Sequence, residues 1–210
     1  MTSDDATLVE HPDDAILRAT HAPRGADGTW LRERLDAGEV RQRVLALRGL
    51  ARRAEMTDEL WRRVLGDGDV ELRREALERL AHDPEDSSPV LDVVFALLGD
   101  DDALVVEAAA FALGEHLYEA AVGALCDVAS GHDDARCRES AVAALGAIGD
   151  DRGRLTILAA LQDKPAVRRR AVVALSNFEG TDVESALDLA ADDRDWQVRS
   201  AVAQLRQPRD

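Results

Sequence analysis

The apolar positions of this chain follow one repeated arrangement. A Val or its substitute, usually followed by Arg, is succeeded by apolar residues four, seven and eight positions later. Copies start at Val40, Leu72, Val105, Cys137, Val167 and Val198, at intervals of 32, 33, 32, 30 and 31 residues. Those offsets fall on one stripe of a 3.6-residue period, so each copy predicts an amphipathic helix. From the second copy onward an Asp-bearing turn precedes the start: Asp67 and Asp69, Asp100 to Asp102, Asp133 and Asp134, Asp163, Asp192 and Asp193. Asp caps exposed N–H groups and suits the positive end of a helix dipole. Upstream of each turn the pattern predicts a first helix, near residues 29–36, 57–65, 89–98, 118–130, 152–161 and 182–191. A period near 30 residues means that one helix pair cannot bury its own apolar face, so neighbouring pairs stack into a solenoid.

Finer signals mark the helix ends. Ser88-Pro89 suits a cap before a first-turn proline, and Thr181 with Glu184 reads as a capping box. Gly99 and Gly180 suit helix stops. The eighth position is Leu80, Leu113, Leu145 and Leu175 in the inner copies but Arg48 and Arg206 in the outer ones. A terminal repeat lacks a neighbour on one side, so these arginines are expected to cap a six-pair array spanning 27–206. Residues 1–26 read as an acidic lead-in with a short helix near 13–20, and residues 207–210 as a polar tail.

With these residues in view, the chain resembles the HEAT-repeat family, and most closely its short bacterial form named after bilin lyases. In that form an Asp-rich turn, sometimes with Pro, precedes V-R-x-x-A-x-x-A-L-G. Asp163-Lys-Pro-Ala-Val-Arg168 and the run C-R-E-S-A-V-A-A-L-G from Cys137 match it. The resemblance implies an all-α, right-handed superhelix whose second helices line the concave face. Its commonest implied role is protein binding; the alternative carried by the family's name is a chromophore lyase subunit or chaperone. Tetratricopeptide and ankyrin signatures do not occur. Two enzymatic relatives fit poorly. Deoxyhypusine hydroxylases hold iron with His-Glu dipeptides, but no His here precedes a Glu, and Glu10-His11 and Glu115-His116 are reversed and far apart. HEAT-like DNA glycosylases need a basic groove with aromatics, whereas Trp30 and Trp61 sit in first helices and Trp196 in a turn.

Composition narrows the classes further. The net charge of −16 opposes binding to a phosphate backbone, so no nucleic-acid partner is expected. One Lys stands against 25 Arg. Residues 1–14 lack the apolar core of a signal peptide, and no run approaches a membrane span, which points to a cytoplasmic protein without a membrane partner. Cys126 and Cys137 hold core positions of their repeats, so neither is read as catalytic or metal-binding. His132, Asp133 and Asp134 read as a turn cap and not as a cation site. No catalytic set, metal site or cofactor motif is evident. The repeated Arg41, Arg73, Arg138, Arg168 and Arg199 read as a ladder pairing with turn aspartates, because their spacing follows the repeat.

Charge is unevenly distributed. Residues 80–135 hold 13 acidic residues and no Lys or Arg, while the segments on either side are nearly neutral. Helix geometry places the second, sixth and tenth positions after each start opposite the buried stripe. In the third copy these are Glu107, Phe111 and Glu115; in the second they are Glu78 and His82 with Glu75 close by; in the fourth, Glu139. The third copy also has Val106 in place of the ladder Arg. An exposed Phe between carboxylates predicts a groove for a protein or peptide with a basic segment, contacted by Glu75, Glu78, Glu107, Phe111, Glu115 and Glu139.

Overall fold

A computed structural model describes residues 28–82 and 88–207. The expected lead-in with its short helix, and the last three residues of the expected tail, lie outside them. Within the described residues the chain is all-α, with twelve α-helices joined by turns and short 3-10 segments and no strand. The chain divides into two compact units, one up to Arg79 and one from Leu80 onward. The first unit holds α1 (Thr29–Ala37), α2 (Val40–Arg52), α3 (Asp58–Leu65) and most of α4 (Val70–Ala81). The second holds α5 (Leu91–Ala96), α6 (Ala103–Glu115), α7 (Val122–Gly131), α8 (Ala135–Ile148), α9 (Arg154–Ala160), α10 (Pro165–Ala174), α11 (Thr181–Ala191) and α12 (Trp196–Leu205). In it α5, α7, α9 and α11 each pack on the following second helix, and α6, α8, α10 and α12 pack on one another in order. The helix pairs expected from the repeat are all present.

The turns before the second helices use a double cap. A first acceptor takes the N–H two residues on, and that second residue caps the helix. Asp67 accepts from Asp69 N, and Asp69 accepts from Glu71 N and Leu72 N. Asp100 and Asp102 repeat the device before α6, and Asp193 and Asp195 before α12. Before α10 the cap position is Lys164, whose ammonium cannot accept a hydrogen bond, and among the turn N–H groups Asp163 accepts from Lys164 N. The first Asp also receives a guanidinium. Arg138 donates to Asp163 at 2.7 and 2.8 Å, and Arg168 to Asp193 at 2.9 and 2.7 Å. Each of these arginines also donates to a carbonyl of the turn before its own helix, His132 O and Asp133 O for Arg138 and Asp163 O for Arg168. These hydrogen bonds hold the Asp163 and Asp193 carboxyls below the ordinary carboxylate range. Arg168 itself is 4% exposed. The arginine ladder is therefore a staple between successive repeats.

The first copy sits in a different register from the one the sequence suggests. Arg43, not Arg41, makes the ladder contacts, donating to Leu35 O at 3.1 Å and to Asp67. The copy therefore starts at Gln42, and its fourth, seventh and eighth positions are the buried Ala46, Gly49 and Leu50. Arg48 is not a capping residue at the eighth position. It belongs to the exposed face and reaches Glu75 instead. Arg206 does occupy the eighth position of its copy, exposed and paired with Asp188 at 2.5 Å.

Close approach shapes the second-helix layer of the second unit. A Cβ at Gly114 would lie 2.8 Å from Ala144 Cα, and one at Gly146 would lie 2.5 Å from Ala174 Cβ. The small residues of α6, α8 and α10 thus let these backbones nearly touch. The layer they form is more tightly packed than the first-helix layer. Helix ends follow local chemistry. Gly149, at φ 70°, closes α8 in the left-handed conformation that glycine adopts without strain. The capping box at Thr181 does not form, because Thr181 is already helical and the cap position falls to Gly180. No helix in the described residues is long and apolar enough to cross a membrane.

Candidate interaction surface

The exposed side of α6 is built by its helical phase. Val105, Val106, Ala109, Ala110, Ala112 and Leu113 are buried, which leaves Glu107, Phe111 and Glu115 on the opposite side. Phe111 is 40% exposed, and its ring meets the His82 imidazole edge-on, with centroids 6.2 Å apart and planes at 69°. Behind it His116 Nε2 lies 2.9 Å from Leu80 O. The aromatic side chain is thus propped on one flank and open on the other. Glu115 is exposed and Glu107 half-buried, so both carboxylates border the ring's helix face.

The ladder is broken at this point on both sides at once. Val106 stands where the stapling Arg should be, and His132 stands at the offset of the receiving Asp67 and Asp193. His132 keeps only the capping half of the role: Nδ1 accepts from Asp134 N at 3.1 Å, and Asp134 in turn caps α8 through Arg136 N. Two short-range hydrogen bonds replace the staple between α6 and α8. Cys137 Sγ donates to Ala103 O at 3.1 Å, and Ser140 Oγ donates to Glu107 O at 2.9 Å. Burial pushes the Cys137 thiol up to about 11, so it is a packing group and not a nucleophile.

The remaining candidates divide. Glu75 does not line the surface: it is fully buried, accepting two hydrogen bonds from Arg48, at 2.8 and 2.7 Å, and one from Arg79 at 2.7 Å. Burial alone would raise its pKa, but the two guanidiniums outweigh it and hold the carboxyl below its ordinary range. Its offset from Leu72 puts it at the edge of the buried stripe, and two long arginines close over it. Glu78, in the first unit, is half-exposed and already paired with Arg74. Glu139, on α8, lies within 3.7 Å of Arg169 and 3.5 Å of Arg170 on α10. Glu107, Phe111, Glu115 and Glu139 are therefore brought onto one layer of the second unit.

Sequence reasoning missed the two arginines of α10, which belong to the same layer as the acidic residues. The sixth position after the start is the exposed Phe111 on α6, the half-buried Ala143 on α8 and the exposed Val173 on α10. The second position is Glu107, then Glu139, then Arg169. Reading the same offset in successive copies would have found this sequence-level signal. On the first-helix side a cavity of about 490 Å³ is walled by Leu158, Leu161, Ala186 and Leu189 beside the Arg168–Asp193 staple, and it carries no acidic patch of its own.

Stacked helix pairs joined by Asp-capped turns and an arginine ladder define an α-helical repeat solenoid. The model for HEAT repeats matches residues 57–146, 91–165 and 122–206, and the chain belongs to that family. No curated protein matches it. Among solved structures, the complex of CpcE and CpcF of phycocyanin lyase from Nostoc sp. PCC7120 is similar, at 22% identity and a TM-score of 0.64. That likeness covers 71% of this chain and 64% of that chain, so this chain spans less than two thirds of its length. A designed armadillo repeat protein in complex with the peptide (KR)4 is similar over 93% of this chain and 98% of its own, at 15% identity and a TM-score of 0.59. An engineered protein is similar over 91% of this chain and 94% of its own, at 17% identity and a TM-score of 0.60. These likenesses establish the solenoid fold.

Proposed function

We propose that this protein is a non-catalytic binding scaffold that takes a protein or peptide segment rich in Lys or Arg on its second-helix layer. The observation that carries this reading is Phe111, held open between Glu107 and Glu115 in a stretch with no Lys or Arg from residue 80 to 135. Aromatic anchors at the centre of a contact carry much of the binding energy of protein interfaces. The carboxylates of Glu107 and Glu115 supply attraction for cations, and the ring face adds a cation–π contact of about 0.5–1 kcal/mol at an exposed site. The designed armadillo repeat protein with its (KR)4 peptide offers a precedent for a helical solenoid holding a basic chain.

The test is fluorescence anisotropy with a labelled alternating Lys/Arg peptide at low salt. The unaltered protein should bind it, and Phe111→Ala and the double change Glu107→Lys, Glu115→Lys should each weaken binding about tenfold or more. All three residues are at least partly exposed, and circular dichroism should show an unchanged helix content. Undiminished binding by the double variant would sink the proposal.

A further inference from the structure

The second-helix layer of the second unit changes sign along its length. The α6 end presents Glu107 and Glu115 and no Arg or Lys. The α10 end presents Arg169 and Arg170, with side chains 41% and 40% exposed. Between them Glu139 lies against both guanidiniums, at 3.7 and 3.5 Å, so one negative charge is shared by two positive ones. An apolar row runs beneath this gradient: Phe111 at 40% exposure, Ala143 half-buried, Val173 at 49% exposure. A surface that only attracted cations would have no use for two half-exposed arginines beside this row, because they would repel the far end of a uniformly basic ligand.

We infer that the ligand of this surface is a bipolar peptide segment: Lys or Arg seated at Glu107 and Glu115, apolar side chains along Phe111, Ala143 and Val173, and Asp or Glu seated at Arg169 and Arg170. The inference rests on the peptide-binding reading above and adds its polarity. Neighbouring helix axes lie about 8–10 Å apart, so α6 to α10 is roughly 16–20 Å. An extended chain advances about 3.3 Å per residue, so the basic and acidic ends are separated by about five or six residues. Arginine forks match carboxylates in two parallel hydrogen bonds, which suits Arg169 and Arg170 to the acidic end.

The experiment compares labelled peptides of one length on the full chain. All share a Lys/Arg end and a Leu-Ala-Leu middle; the other end is Asp-Glu, Gln-Gln or Lys-Arg. The measurement is made near 0.15 M salt, where the Debye length of about 8 Å screens the general field of an acidic protein. The Asp-Glu peptide should bind about fivefold tighter than the Gln-Gln one, the size two exposed ion pairs supply, and the Lys-Arg peptide should be weakest. Arg169→Gln with Arg170→Gln should abolish that ranking, and circular dichroism should show an unchanged helix content in the variant. If the peptides bind but rank equally, or the Lys-Arg peptide is tightest, or the ranking survives the double variant, the bipolar inference is overturned while basic-peptide binding stands. If no peptide binds near 0.15 M salt or at low salt, both are overturned.

Discussion

Glu75 is buried to 0% exposure, and its two arginine partners, Arg48 and Arg79, are nearly half-exposed. A lone carboxylate in that position would be costly, because removing one partner of a buried pair costs about 3–5 kcal/mol. Here two guanidiniums share the task, so losing one leaves the other. Arg48→Ala is expected to destabilise the protein by about 1–2 kcal/mol, discounted because the Arg48 side chain is nearly half-exposed to water. Arg48→Ala with Arg79→Ala should cost clearly more than the sum of the single changes, as a coupled pair does. Urea midpoints of the three variants decide this, and additive effects would show that Glu75 finds its charge balance elsewhere. The pH dependence has a definite sign. A carboxyl held low in the folded state stabilises above its unfolded value and loses that contribution as pH falls through the folded one. The Glu75 contribution is therefore complete above its ordinary value of 4.5 and lost on acidification below it. A Glu75→Gln variant should show a shallower loss of stability between about pH 5 and 3 than the unaltered chain.

The staple between α6 and α8 is missing from both partners, Val106 and His132, whereas Arg138–Asp163 and Arg168–Asp193 are intact. A staple needs both halves: Val106 is 1% exposed, so an arginine there without its aspartate is a buried unpaired charge. Val106→Arg alone should destabilise by several kcal/mol, His132→Asp alone by little, and the two together should recover about 1–3 kcal/mol of the first loss. A double-mutant cycle in urea measures that coupling; a value near zero would mean that α6 and α8 are too closely packed to admit the ion pair. At this scale much of the fold was legible. Helix pairs, Asp turns and the ladder follow from spacing, because each repeat solves the same burial problem. The register of the first copy is hidden because Ala37 and Glu39 stand where Asp67 and Asp69, Asp100 and Asp102, and Asp193 and Asp195 stand in other copies. Without that marker two apolar stripes offset by two residues competed: Val40, Val44 and Leu47 against Ala46, Gly49 and Leu50. Only the contacts of Arg43 separate them. Phe111 was readable from helical phase alone, whereas the burial of Glu75 depends on Arg48, 27 residues earlier, and no local pattern reports that.

Across the whole chain, charge is sorted by segment: 13 acids and no Lys or Arg in residues 80–135, and near-neutral flanks. Many of these acids are turn caps with local duties, such as Asp100, Asp102 and Asp134. Their field adds to that of Glu107 and Glu115 whatever their local role, because a field sums over all charges within a few Debye lengths. Two effects on a basic ligand then separate by kinetics. The summed field acts on the approach, so raising salt should slow association of a Lys/Arg peptide by about tenfold or more between low and high ionic strength. Phe111 acts only after contact, so Phe111→Ala should speed dissociation and leave the salt slope of association unchanged. Stopped-flow anisotropy resolves the two rates. A salt response confined to dissociation would show that the caps are screened by their own turn arginines and helix dipoles, leaving the few carboxylates beside Phe111 as the whole electrostatic contribution.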